Sequence, residues 1–262
     1  MTSRTPVPTA LTIAGSDPSG GAGLQADLKT FHQHGVYGMA AVTLLTVQNT
    51  QSVSRVEVLS GALVREQVEA VLADIKPGAV KTGALGNAEV IAAVAGLRFD
   101  APLVVDPVMV SKHGHALLAA DAQAALVTKL LPVTLLLTPN TQEAAALLGV
   151  PVETLAQAEA AAQALSRLGP RAVLVKGGHL TGPESIDVLF HEGRLTHFRA
   201  PRLDTRHTHG TGCTYSAAIT AGLARGLTLE DAVRAAKAWL TRALQSPPDV
   251  GHGIGPVNHL AT

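Results

Sequence analysis

ALTIAGSDPSGGAGLQADLKTFHQH, residues 10–34, changes its pattern halfway along. Residues 10–15 form a short apolar run, as a strand buried on both faces requires, and residues 23–34 read as a helix. Between them Gly15, Gly20, Gly21 and Gly23 permit close backbone approach and positive φ. The loop lacks the G-K-[ST] ending of a P-loop, and its G-G-x-G is not the dinucleotide fingerprint G-x-G-x-x-G. Alone it reads as a strand-to-helix turn. Asp27, one helical turn past the loop, is either a solvated helix residue or an acceptor for a polar ligand.

The same alternation recurs outward from this unit. Further strands are expected at 38–47, 78–83, 102–108, 134–140 and 172–178, and further helices at 61–75, 87–98, 119–131, 141–148 and 154–168, the last with Gly169 as its C-cap. Strand, helix, strand, repeated, implies right-handed βαβ units and an α/β fold whose central, mostly parallel sheet is flanked by helices. Residues 185–193 and 194–203 depart from it as a hairpin turning at Glu192-Gly193. No linker or fixed repeat divides the chain, so a single domain over 1–262 is expected.

Composition narrows the class. Of 262 residues 47% are hydrophobic, enough for a substantial core, and the formal net charge is zero. Nothing there suggests an electrostatic grip on nucleic acid or on an acidic membrane. One cysteine excludes an intrachain disulfide framework and fits a reducing compartment. The first residues, MTSRTPVPTALTIAG, resemble neither a signal peptide nor a membrane span, so a soluble cytoplasmic protein is expected.

Polar motifs follow the strands: GSDPSGGAG after the first, DPV after the fourth, TPNTQE after the fifth and KGGH after the sixth. Open α/β sheets bind ligands along that edge. Gln48, in TVQNTQSV, is either part of a turn or a strand-end amide suited to reading a heterocycle. Asp106, Asn140 and Glu143 are hard oxygen donors suited to Mg²⁺, although Asn140 and Glu143 also fit a capping box. Lys176 is either a phosphate-neutralising residue or an ordinary exposed lysine. In HTHGTGCTYSAAITAGL, 207–223, Gly210 and Gly212 open a long apolar helix. Its free N–H groups make an anion site and would favour a thiolate at Cys213. Cys213 is a small packed residue, a base, or, with His207 and His209 nearby, a hydrolase nucleophile.

Together these segments resemble one family, the hydroxymethylpyrimidine and hydroxymethylpyrimidine-phosphate kinases of thiamine biosynthesis, within the ribokinase-like superfamily. The resemblance runs from LTIAGSDPSGGAGLQADLKTF through VQNTQSV, VVDPVMVSKHG, TPNTQEAAALLG and VLVKGGH to DTRHTHGTGCTYSAAIT, nearly the whole chain. It implies a three-layer ribokinase-like fold, usually in a homodimer. It also implies ATP, Mg²⁺ and phosphoryl transfer to the pyrimidine alcohol and then to its monophosphate. By resemblance Gly15, Ala22, Asp27, Gln48 and Val108 match the pyrimidine site, and Asp106 and Glu143 match positions near Mg²⁺. Lys176 matches a phosphate-contacting lysine, Gly210 and Gly212 the anion hole, and Cys213 the base for the substrate alcohol. Two positions depart from the family: Ala84 stands where methionine is frequent, and His207 where asparagine is commoner. Ala84 keeps pyridoxal or pyridoxine phosphorylation open. A non-catalytic pyrimidine-binding module, the other alternative, predicts loss of the phosphate and metal residues, yet Asp106, Glu143 and Lys176 are present. No role is assigned to His207 or His209. Residues 112–118 and 202–209 are expected as closing loops.

Overall fold

The computed structural model describes residues 6–109 and 121–262. The expected closing loop at 112–118 lies outside the described residues, as do the first two residues of the helix expected over 119–131.

Strand β1 (Thr9–Ser16) sits inside the sheet, parallel to β2 (Tyr37–Gln48) on one side and to β4 (Ala79–Thr82) on the other. The parallel ladder continues through β5 (Leu103–Val105), β6 (Leu136–Leu137) and β7 (Ala172–Val175). Antiparallel strands form both edges: β3 (Val53–Val58) beside β2, and the hairpin β8 (Glu184–His191) and β9 (Arg194–Pro201) beyond β7. The order is β3-β2-β1-β4-β5-β6-β7-β8-β9 in one nine-stranded sheet. From β1 the chain winds one way to β2 and β3, then returns to wind the other way from β4. That reversal opens a crevice at the C-terminal ends of β1 and β4.

Alternate side chains of each strand divide between two cores. Val173 and Val175 pack with Val64, Val90 and Leu165, whereas Ala172 and Leu174 pack with Tyr215, Ile219 and Trp239. The first core lies under α2 (Gly61–Asp74), α3 (Ala88–Ala95), α4 (Ala122–Ala125), α5 (Thr141–Leu148) and α6 (Leu155–Ser166). The second, with a satellite around Ala10 and Phe31, lies under α1 (Gly23–Gln33), α7 (Thr211–Ala224) and α8 (Leu229–Gln245). Each fully buried leucine, isoleucine or phenylalanine contributes about 1.5–3 kcal/mol by leaving water. Helix α7 is buried continuously from Thr214 to Gly222, which is why it reads as apolar on all sides. No helix among the described residues is long and apolar enough to cross a membrane.

Several boundaries differ from the sequence reading. β3 falls where no element is expected from the sequence: its VSRVEV run is a half-exposed edge strand, entered through a turn in which Asn49 Oδ1 accepts from the backbone N–H groups of Gln51 and Ser52. Helix α8, capped by the Thr228 hydroxyl accepting from the Asp231 N–H, also escaped the reading. The helix expected to reach residue 131 leaves α-geometry after Ala125 for a π-turn (Leu126–Leu130) and a 3-10 turn (Leu131–Val133), where Pro132 has no N–H to continue the ladder. α6 ends at Ser166, so Gly169 is not its cap. β5, β6 and β7 are shorter than expected: Asp106–Val108, Thr138–Asn140 and Lys176–Gly178 lie past the regular ladder, where the site begins and an isolated Asn140–Lys176 bridge continues the pairing. The hairpin turn is at Glu192 and Gly193, with φ of 50° and 75°.

Candidate active site

A cleft of about 770 Å³ runs along the C-terminal edge of the sheet. Two glycines let its walls close on each other. A side chain at Gly23 (φ 55°) would collide with the Gly15 carbonyl, and one at Gly210 (φ 75°) with the Gly21 carbonyl. The β1–α1 loop and the start of α7 are therefore packed backbone to backbone.

The β1–α1 loop is organised by Asp17. Its Oδ1 accepts from the Ser19 N–H at 2.9 Å and hydroxyl at 2.7 Å, and its Oδ2 from the Ala22 N–H at 2.9 Å. The same Oδ2 lies 2.7 Å from His209 Nε2. Burial pushes the Asp17 carboxyl up, but these bonds and the attraction of His209 outweigh it and leave the pKa below the ordinary value. Gln48, at the end of β2, places its Nε2 3.4 Å from His209 Nε2 and takes the Thr46 hydroxyl at 3.2 Å. Gly15, Ala22, Gln48, Ala84 and Val108 all line this end of the cleft.

Its middle is charged. Lys176 Nζ donates to Asp106 Oδ1 at 2.8 Å, and the Ser216 hydroxyl lies 3.3 Å from Asp106 Oδ2. Burial opposes the Lys176 ammonium, but Asp106 and Glu143 hold its pKa above the usual lysine value. Glu143 does form the capping box: Oε2 accepts from the Asn140 N–H at 2.8 Å while Asn140 Oδ1 accepts from the Glu143 N–H at 2.8 Å. The capping alternative holds, and the capping residue also lines the cleft. Burial raises its carboxyl to about 7, with Lys176 opposing and Asp106 adding to the rise.

Helix α7 enters the same space. Gly210 is its left-handed N-cap, and a methyl group at Gly212 would stand 3.1 Å from Lys176 Nζ and 3.7 Å from Asp106 Oδ2. The first-turn N–H groups of α7 and its positive dipole end thus share one location with the lysine. Cys213 lies there too, half-buried, with the Gly23 backbone N–H donating to its sulfur. The expectation of a lowered thiol pKa is overturned. Burial pushes Cys213 up to about 11; Lys81 and the Gly23 N–H oppose that shift, while Asp106 and Asp27 reinforce it.

Among the described residues, no three His, Cys, Asp or Glu side chains gather as a metal cage. Mg²⁺ asks for less, often one or two carboxylates completed by waters and phosphates. Asp106 and Glu143, hard oxygen donors on one cleft wall, fit that requirement.

Ten of the eleven expected site residues meet in this cleft, and Asp27 does not. Its carboxylate is fully buried behind the wall, taking the Thr12 hydroxyl at 2.6 Å and Lys81 Nζ at 2.8 Å on one oxygen. Asp27 lies on the α1 face turned toward β1 and β4, where it meets the charge of Lys81. Of the two histidines, His209 is in the site, whereas His207 is 3.6 Å from Asp249 at the rim. Sequence reasoning missed Asp17, Lys81 and a buried pair at the far end, Lys237 Nζ to Asp187 Oδ2 at 2.7 Å. Lys81 gave one signal, a lysine inside a strand of a doubly covered sheet.

A sequence profile described as phosphomethylpyrimidine kinase matches residues 17–258. The hydroxymethylpyrimidine/phosphomethylpyrimidine kinase of Rhizobium meliloti (strain 1021) is 51% identical over 95% of this chain and 96% of its own. The thiamine biosynthesis bifunctional protein ThiED of Geobacter sulfurreducens is 44% identical over 98% of this chain and 54% of its own, longer one. Among solved structures, an ADP complex of Bacillus subtilis pyridoxal kinase superimposes with a TM-score of 0.91 at 36% identity, covering 98% of both chains. This chain belongs to the phosphomethylpyrimidine kinase family and has its ribokinase-like fold.

Proposed function

We infer that this chain transfers the γ-phosphoryl group of ATP to the hydroxymethyl oxygen of 4-amino-5-hydroxymethyl-2-methylpyrimidine, and then to the monophosphate so formed, for thiamine biosynthesis. The family supports the reaction class. The observation that carries it to the residues is the convergence of Lys176, Asp106 and the α7 N-terminus at the middle of one cleft. Phosphoryl transfer asks mainly for in-line positioning and neutralisation of charge spread over the transferred group.

In this reading the pyrimidine lies among Gly15, Ala22, Gln48, Ala84 and Val108, and the nucleotide extends toward Asp187 and Lys237. Lys176 and the N–H groups at Gly210 and Gly212 hold the transferred group. Asp106 and Glu143 hold Mg²⁺, which when bound neutralises phosphate charge. The substrate oxygen bonds to the γ-phosphorus as the bond to ADP breaks, and the hydroxyl proton goes to the thiolate of Cys213. Asp27 acts from behind the wall and touches no substrate. A homodimeric cytoplasmic enzyme built as one domain over 1–262 completes the proposal.

One observation favours a second substrate. Ala84 lines the pyrimidine end beside Gly15 and Leu44 and leaves space that a longer side chain would fill. Pyridoxal is a six-membered ring with one more substituent and the same hydroxymethyl group. Incubating the protein with ATP, Mg²⁺ and each alcohol, with mass detection of products, tests both readings.

A further inference from the structure

Lys81 is fully buried on β4, in register with Thr12 of β1. A buried ammonium is costly unless paired and hydrogen-bonded. Its partner Asp27 is equally buried, and both Lys81 and Thr12 bond to the same Asp27 oxygen. The other oxygen, Oδ1, is buried with no hydrogen-bond partner among the described residues. As a structural salt bridge the pair is incompletely satisfied, which points to a purpose beyond stability.

Its position suggests one. Gly23 and Asp27 are four residues apart in α1, so they lie on one face, one turn apart. Gly23 gives its N–H to the Cys213 sulfur, and α7, which carries Cys213, packs on α1, β1 and β4. The Asp27–Lys81 pair therefore lies behind Cys213, on the side away from the cleft. Other charges facing the thiol are Asp106 from the end of β5 and Lys176 from the end of β7, both on the cleft side.

We propose that Lys81, oriented by Asp27 and Thr12, is a positioning residue for the transfer step, the buried counter-cation of the Cys213 thiolate. This rests on the reading of Cys213 as base. When the substrate proton moves to sulfur, Lys81 keeps its own three protons. Its contribution is to favour the charged sulfur that must exist just before.

Cys213 is the only cysteine in the chain, so alkylation reports it alone. Iodoacetamide rates of the full chain, free of nucleotide and metal, are measured from about pH 7 to 10 for wild type, Asp27→Asn and Asp27→Asn/Lys81→Met. Without its carboxylate a fully buried Lys81 sheds its proton, so Asp27→Asn loses the cation and the double variant loses the whole pair. Both should slow alkylation at a fixed pH by about tenfold and move the profile to higher pH, with kcat reduced and KM for ATP unchanged. Identical pH–rate profiles in wild type and Asp27→Asn, both folded, would overturn the proposal, and that comparison stands even if the double variant fails to fold. A merely structural pair would change melting temperature and leave the profile in place. If Cys213→Ser retains full turnover while the profiles shift as expected, the base reading fails and the electrostatic coupling survives.

Discussion

Gly212→Ala separates stability from activity at the centre of the site. Gly212 is the second residue of α7 and its backbone is not in the left-handed region, so alanine fits the helix. Replacing glycine by alanine inside a helix contributes about 0.5–1 kcal/mol. The new methyl would stand 3.1 Å from Lys176 Nζ, the flexible end of a long side chain, which can yield by a few tenths of an ångström. Denaturant unfolding should therefore show unchanged or slightly raised stability, and a melting temperature higher by roughly 2–4 °C at most. Activity should move the other way. The methyl occupies the space between the α7 N–H groups and Lys176 where the transferred phosphoryl oxygens are held. Losing one such donor costs on the order of 10²–10³ in kcat, about 3–4 kcal/mol of transition-state stabilisation. Steady-state kinetics with mass detection, run beside the unfolding curve, reads both quantities on one preparation. A fully active Gly212→Ala would refute the placement of the phosphoryl group at the start of α7.

Three further outcomes follow from the same geometry. With its thiol at about 11, Cys213 is mostly protonated at neutral pH, so its thiolate fraction rises about tenfold per pH unit below that value. The kcat/KM of wild type should climb from pH 8 to 10 accordingly, and Cys213→Ser should lose about 10²–10⁴-fold in turnover together with that climb; a flat wild-type profile removes the base assignment. Glu143, raised to about 7, must shed its proton to hold a cation, so below that pH the Mg²⁺ concentration needed for half-maximal turnover should rise, by up to about tenfold per unit. Equal Mg²⁺ requirements at pH 6 and pH 8 would exclude Glu143 as a ligand. Ala84→Met should narrow the ring pocket beside Gly15 and Leu44 and lower kcat/KM for pyridoxal more than for hydroxymethylpyrimidine, by on the order of tenfold; parallel changes for both would place the ring elsewhere.

The parallel core of the fold was legible because buried parallel strands are short apolar runs and each is followed by a polar turn. What escaped was structure whose signal is mixed. β3 mixes valines with Ser54, Arg55 and Glu57, as a half-exposed edge does, so no continuous apolar run marks it. The site was legible to the extent that residues sit at or just past strand ends, as Gln48, Asp106 and Lys176 do, or in the first turn of the helix that follows, as Glu143 does. Asp27 was misplaced because helical spacing fixes a face but not what lies opposite it; only β4 beside β1 brings Lys81 there. His209 was unassigned because its partners Asp17 and Gln48 are about 190 and 160 residues away, a separation closed only by the fold. The error at Cys213 was one of balance. A helix N-terminus lowers a thiol pKa, but burial beside Asp106 and Asp27 outweighs it.

The most direct test of the account is a time course of the purified chain with ATP, Mg²⁺ and hydroxymethylpyrimidine, followed by mass. The account predicts pyrimidine monophosphate first and diphosphate after it, with one ADP released per phosphoryl group transferred. ATP left unconsumed with this alcohol, or a phosphorylated product from pyridoxal alone, would contradict it.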